Sequence, residues 1–284
     1  MTDMKYLNLI FLFVVNICFF LSGICLNSLV IISFWRSAQL RKKLCYFMIM
    51  VLSCCDLFSA FTNHSFVAYI VIFWLTGNRN DIGVSWTNNV EALTAVFLGP
   101  SILALLVMNF DRYLATYHPI FHRTSVTKGK LLTLFAILLF LLLVLILVTL
   151  NSVIPLHVAV LTFFITFAPP MLFMNYKLFI IAKKSRAHRR ISPDRRNTSS
   201  LKDISSCLLA VACFVALSTP VFVYCGLSMN SKMKMNTFDG AQLPGKWART
   251  IGSMNATFNC LIFYWKDKIL RTEGMKVIKS IKIC

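Results

Sequence analysis

A few ionisable and amide side chains stand inside long apolar stretches of this chain, and they are the residues best placed to do chemistry. Asp56 lies in the middle of one stretch, and Asp111 and Arg112 adjoin at the end of another. Asn27, Ser101, Asn255 and Asn259 sit at comparable depth in three stretches. A buried carboxylate needs a cation, a proton or hydrogen-bond donors. Hydroxyl and amide oxygens near it suit a hard cation. A protonated Asp56 in a polar network is the alternative. An Asp–Arg neighbour pair can hold a guanidinium in one place and release it. For any single asparagine, hydrogen bonding that only holds helices together competes with a functional reading. No H-E-x-x-H or G-x-S-x-G pattern occurs and the five histidines do not cluster along the chain, so no enzyme is expected.

The elements that must position these groups follow from composition. Of 284 residues, 58% are hydrophobic and only 14% are charged, against about 25% charged in ordinary soluble domains. One core of this size cannot hide so much apolar surface. A bilayer core of ~30 Å needs about 20 apolar residues per helix. Seven stretches qualify, at 6–34, 44–73, 88–117, 131–150, 155–182, 204–227 and 247–265. The fourth, LLTLFAILLFLLLVLILVTL, carries no charge. Continuous apolar runs exclude the alternation of a membrane β-barrel. The expected architecture is an all-α integral membrane protein, a seven-transmembrane helix bundle. It divides into a short outer N-terminus at 1–5, the bundle at 6–265, and an amphipathic eighth helix with a cytoplasmic tail at 266–284. The first run is too long for a signal-peptide core and reads as an anchor.

The charges orient the bundle. The formal net charge is +19. If termini lie on opposite sides, 23 of the 29 Lys and Arg residues fall on the C-terminal side and six on the other. The positive-inside rule then places the N-terminus outside and the C-terminus in the cytoplasm, with the plasma membrane as the expected location. The same excess argues for attraction to anionic membrane lipids, not nucleic acid. No cysteine stands in the middle of an outer loop, so no structural disulfide is expected. No internal repeat or line of charges through the bundle supports a multi-span transporter or channel, which remains the alternative function.

The motifs resemble those of the rhodopsin-like (class A) G protein-coupled receptors. LNSLV (26–30) resembles G-N-x-x-V, and LSCCDLF (52–58) resembles L-A-x-x-D-L. FDRYLATYHPI (110–120) resembles the D-R-Y motif with its following proline. FVALSTP (214–220) is similar to F-x-x-C-W-x-P, with Leu217 and Ser218 replacing Cys-Trp. NATFNCLIF (255–263) resembles N-S-x-x-N-P-x-x-Y, with Cys260 and Phe263 replacing Pro and Tyr. The family's outer disulfide is unmatched, since Thr87 stands at one of its positions. The short, cysteine-free second outer loop is similar to the group containing melanocortin, adenosine, cannabinoid and lysophospholipid receptors.

The resemblance implies a receptor that binds an extracellular ligand, whether small molecule, lipid or peptide, and activates a heterotrimeric G protein at a cytoplasmic cleft. Its implied coupling and switch residues are Asp111, Arg112, Tyr113, Pro119, Ile120, Phe214, Pro220, Asn259 and Phe263. The family's acidic partner for Arg112 is unmatched at Ser200, with Asp203 one turn away. Asp56, Ser101, Asn255 and Asn259 stand at four positions of the family's sodium pocket, which makes sodium the one ion implied and leaves no other cofactor. The ligand pocket would include Glu91, Thr94, Ala95 and Leu98. Thr94 stands where amine receptors carry Asp, and Ser253 where opsins carry the retinal lysine, so both of those ligand types are disfavoured. Cys284, beside a basic patch, is a candidate for lipidation.

Overall fold

The structure, a computed structural model, describes the backbone of residues 3–76, 84–151, 154–191, 197–229 and 242–281, and side chains of 4–76, 98–151, 154–184, 204–227 and 243–280. The helices are α1 (Asp3–Arg36), α2 (Ala38–Lys42), α3 (Leu44–Ser59), α4 (Ser65–Leu75), α5 (Val84–Tyr117), α6 (Pro119–Ser125), α7 (Lys128–Leu150), α8 (Leu156–Ile191), α9 (Asn197–Met229), α10 (Gln242–Ser253), α11 (Asn255–Lys266) and α12 (Lys268–Ile281). Spans one to seven are α1, α3 with α4, α5, α7, α8, α9, and α10 with α11. The protein is thus a seven-span helical bundle followed by an eighth helix, α12.

By length and composition, five helical stretches among the described residues are apolar enough to cross a membrane: Met4–Arg36, Leu44–Leu75, Lys128–Leu150, Leu156–Lys184 and Ile204–Leu227. The seventh span is interrupted at Met254, which separates two 12-residue helices. The bundle presents apolar side chains outward, among them Phe140, Leu141, Leu147, Phe173 and Phe179, each more than half exposed. Its interior holds Asn16, Asn27, Asp56, Asn109 and Asp111, all fully buried. That inversion suits lipid surroundings, where the outer face needs no polar group and every interior polar group needs a partner.

Span three runs through the middle and packs on spans two, four, five and six. Span one packs on spans two and seven and on α12. Within span two, a π-helical turn at Ala60–His64 joins α3 to α4. Such turns widen the helix locally and change which side chains face a neighbour. Span one crosses closely here, for a Cβ added to Gly23 would lie 2.6 Å from the Ala60 Cβ.

Helix starts on the Arg112 side of the bundle are capped by local chemistry. Thr127 Oγ1 accepts from the Lys130 amide at 3.3 Å and starts α7. Asp267 Oδ1 accepts from the Ile269 and Leu270 amides at 2.8 and 3.0 Å and starts α12, the anionic N-cap that a helix N-terminus favours. α12 buries Leu270 and Val277 against the bundle and turns Met275 outward. Its far end is tied to span one by Arg36, whose Nη1 donates to Ser280 Oγ at 2.7 Å. Two aromatic side chains, Trp35 and Trp265, are exposed near the same level.

Candidate functional site

The first polar centre lies at the C-terminal end of span three. Asp111 is fully buried. Arg112 Nε donates to Asp111 Oδ2 at 3.0 Å, and Arg112 Nη2 bonds the same oxygen. The other carboxylate oxygen is 2.8 Å from His122 Nε2 on α6. One carboxylate therefore holds both the guanidinium and the helix that follows the span. Tyr113 stacks on Tyr117 at 4.8 Å, and Tyr117 Oη donates to the Lys177 carbonyl at 3.3 Å, which joins spans three and five. Pro119 occupies the first turn of α6, where its missing N–H is harmless, and Ile120 is 80% exposed beside it.

Arg112 borders a cavity of only about 20 Å³, shared with Phe263 and Asp267. That is room for about one water molecule, far below the width of a helix. The mouth at Arg112 is closed. Ser200 and Asp203, the two span-six side chains weighed as partners of Arg112, lie outside the described side chains. Deeper in, Asn109 ties three spans together: its Nδ2 donates to the Met171 carbonyl at 3.0 Å, and Cys207 Sγ donates to its Oδ1 at 3.2 Å.

The second centre surrounds Asp56. Ser101 Oγ donates to Asp56 Oδ1, and Asn259 Nδ2 donates to Asp56 Oδ2 at 3.0 Å. Three of the four residues expected together are thus joined directly. Asn255 is buried nearby in sequence, but no hydrogen bond reaches its Oδ1, and Asn259 Oδ1 is equally unpartnered among protein groups. Asn259 brings an orphaned amide oxygen to the carboxylate, and a carboxylate, a hydroxyl and an amide oxygen are ligands a hard cation takes, so Asp56, Ser101 and Asn259 fit sodium. Cys260, standing where the motif has proline, keeps its backbone N–H and adds a thiol. Its Sγ donates to Asn27 Oδ1 at 2.8 Å and approaches Ser53 Oγ at 4.0 Å. Asn27 in turn donates to the Gly23 and Ala256 carbonyls at 2.9 and 3.3 Å. Span seven is joined to spans one and two without the proline.

A third polar cluster was not anticipated. His64 Nδ1 lies 2.8 Å from Asn16 Oδ1, and Asn16 Nδ2 donates to Thr250 Oγ1 at 3.1 Å. All three side chains are fully buried in the outer halves of spans one, two and seven. Asn16 is one asparagine in an apolar run and His64 one histidine, so no spacing links them. The π-helical turn that carries His64 has no compositional mark.

In the outer half of the bundle lies an apolar cavity of about 110 Å³. Spans three and four contribute Gly99, Ile102, Leu142 and Ile146; spans five to seven contribute Phe163, Val221 and Arg249. Leu98 lines it as expected. Glu91, Thr94 and Ala95 lie on α5, with side chains outside the described ones, as does Cys284 entirely. Below the cavity, Phe214 is buried and stacked on Phe164, with ring centres 6.1 Å apart and planes at 17°. Pro220 lies inside α9, which continues past it. Two cations counted with the outer charges lie inward: Arg249 lines this cavity and Lys246 lies one helical turn before it. Lys246 is only 5% exposed, and its Nζ and the Arg249 guanidinium lie 5.7 and 5.6 Å from the centre of the Phe66 ring.

All nine described cysteines are free thiols. No curated protein matches the chain. Residues 26–154, from the last third of span one through span four and carrying Asp56, Ser101, Asp111 and Arg112, match the 7 transmembrane receptor (rhodopsin family). That match and the seven-span helical bundle together support a receptor of the rhodopsin family.

Proposed function

We propose that this chain is a G protein-coupled receptor of the plasma membrane, with its N-terminus outside. It binds an extracellular ligand in the outer cavity and activates a heterotrimeric G protein through the cytoplasmic mouth at Arg112. The observation that carries this reading is the Asp111–Arg112 pair at a closed mouth about 20 Å³ in volume. A guanidinium held by a buried carboxylate is a two-position element. Releasing it and widening the mouth exposes a cationic site bordered by Phe263 and flanked by Ile120 on α6. Agonist shifts that equilibrium only as far as its affinity for the open state exceeds its affinity for the closed one.

The packed Phe214–Phe164 pair links the cavity to the lower half of span six. Pro220 leaves one carbonyl of that span without its helical donor, which lowers the cost of bending there. Asp56, Ser101, Asn255 and Asn259 would hold a sodium ion, which supplies positive charge to the carboxylate between the two ends. The bonds of Ser101 and Asn259 to Asp56 support this reading, and a shift of span seven against span two would draw Asn259 away from Asp56. Cys284 beside the basic end of the tail is a candidate lipidation site.

The test is a panel of G protein activation reporters in cells expressing the wild type and Arg112→Ala at matched surface levels. Basal or ligand-driven activation that Arg112→Ala abolishes is the expected result. Silence across all G protein classes together with measurable solute flux would replace this reading with a transporter or channel.

A further inference from the structure

Span six is bonded to span three just inside the mouth at Arg112. Asn109 precedes Arg112 by almost one turn of α5, and its side chain is fully buried. Its Nδ2 donates to the Met171 carbonyl of span five at 3.0 Å. A carbonyl only accepts, so that bond fixes the amide and leaves Oδ1 for span six. There the Cys207 thiol donates to it at 3.2 Å. Cys207 is only 1% exposed.

The same Cys207 is a wall of the small cavity beside Arg112, which Ile49 of span two, Met108 of span three and Phe263 of span seven also line. Nothing larger enters that cavity unless a wall withdraws. Cys207 cannot withdraw with span six while Asn109 holds its thiol. Further along span six, Ala210, Val211 and Phe214 continue the buried face at helical spacing, and all three are apolar. The hydrogen bond is thus a directional contact at the mouth end of a face otherwise held by packing. In lipid no bulk water replaces a broken bond, so a bare Asn109 oxygen carries a cost. A thiol is nevertheless a weak donor, which keeps that cost within reach of a ligand that prefers the open state. The amide N–H bond to Met171 is the stronger of the two, so Asn109 stays with span five when the thiol leaves.

We infer that the Asn109–Cys207 hydrogen bond is a lock on span six that holds the mouth at Arg112 shut, with Asn109 as a positioning residue for its opening. The consequence for signalling rests on the receptor reading; the lock itself needs no G protein.

The experiment follows the thiol. Purified full-length protein in phosphatidylcholine nanodiscs is treated with N-ethylmaleimide, and the modification rate of each cysteine is read by peptide mass spectrometry. The reagent is too large for a cavity of about 20 Å³, so Cys207 reacts only when the mouth is open. Cys260, equally buried but bonded to Asn27, reports general loosening. Asn109→Ala should speed Cys207 modification about threefold or more and leave Cys260 unchanged. Asn109→Leu, which keeps the side-chain volume and drops the acceptor, should do the same. In cells, Asn109→Ala and Cys207→Ala should each raise Arg112-dependent basal G protein activation. Their double variant should not exceed the larger single effect, because one bond is lost in all three. Equal Cys207 rates in the wild type and both Asn109 variants overturn the inference. So does a rise at Cys207 matched at Cys260, unchanged basal activation in both single variants of a signalling protein, or a double variant whose activation is the product of the single effects. Faster Cys207 modification in a protein silent in every reporter keeps the lock and removes the receptor reading. Arg112-dependent signalling with unchanged Cys207 rates does the reverse.

Discussion

His122 Nε2 lies 2.8 Å from Asp111 Oδ1, across the turn between span three and α6. The same carboxylate binds Arg112 through its other oxygen. Asp111 is fully buried, whereas the His122 side chain is 19% exposed. The histidine is therefore the outer arm of a latch whose centre is closed to water. Removing it leaves one carboxylate oxygen without its partner and frees α6, which carries the exposed Ile120.

His122→Ala should accordingly raise ligand-independent G protein activation, and Asp111→Ala should raise it further by releasing both partners. Surface-normalised reporter assays decide the matter. Basal activity equal to wild type in both variants would remove the latch from the mechanism.

The Asp56 centre makes a separate prediction. With Asn255 and Asn259 each holding an unpartnered buried oxygen, a cation gains ligands that no protein group supplies. Anything that binds the folded form preferentially raises its apparent stability. Thermal unfolding midpoints in nanodiscs should rise with sodium chloride relative to choline chloride at equal ionic strength. Asp56→Asn should abolish the difference. An identical sodium response in that variant would locate the ion elsewhere, and no response in the wild type would favour a protonated Asp56.

Cys260 stands where the motif has a proline, and its thiol is a bridge. It donates to Asn27 at 2.8 Å and is fully buried. Cys260→Ala leaves the Asn27 oxygen without that donor and should cost about 1–3 kcal/mol of stability. Cys260→Ser keeps a donor and should lose less. A Cys260→Ala protein with the wild-type unfolding midpoint would show that the sulfur only fills space.

The buried polar centres differ in how visible they are in the amino-acid order. Asp56, Ser101 and Asn259 stand out because a carboxylate and an amide are rare inside apolar runs and their motifs fix the register of each span. The Asp111–Arg112 contact follows from adjacency. His122 is eleven residues from Asp111, reached only because α6 turns back at Pro119, so nothing short of the fold pairs them. Lys246 and Arg249 read as outer-loop charges because α10 opens on the polar string QLPGKWART, and the helix carries that string inside to face Phe66. Asn109, beside the D-R-Y motif, has no partner within reach along the chain; its contacts come from spans five and six. Local order thus exposes groups that are costly to bury and conceals the partners that other spans bring to them.

A close approach of spans one and two makes the last prediction. A Cβ at Gly23 would fall 2.6 Å from the Ala60 Cβ, well inside contact distance, and 3.2 Å from Thr257 Oγ1. Small residues at such crossings let backbones meet, and helix association in lipid depends on that packing. Ala60 belongs to the π-helical turn, so a displaced span one would also disturb Asn63 and His64. Gly23→Ala should lower stability by about 1–3 kcal/mol through overpacking. Ala60→Gly alone should cost roughly 0.5–1 kcal/mol through backbone freedom. If the clash is the cause, the double variant should lose less than the sum of the two single losses, by a coupling of at least about 0.5 kcal/mol. Additive losses in the double-mutant cycle, measured by thermal unfolding, would show that the two positions do not meet.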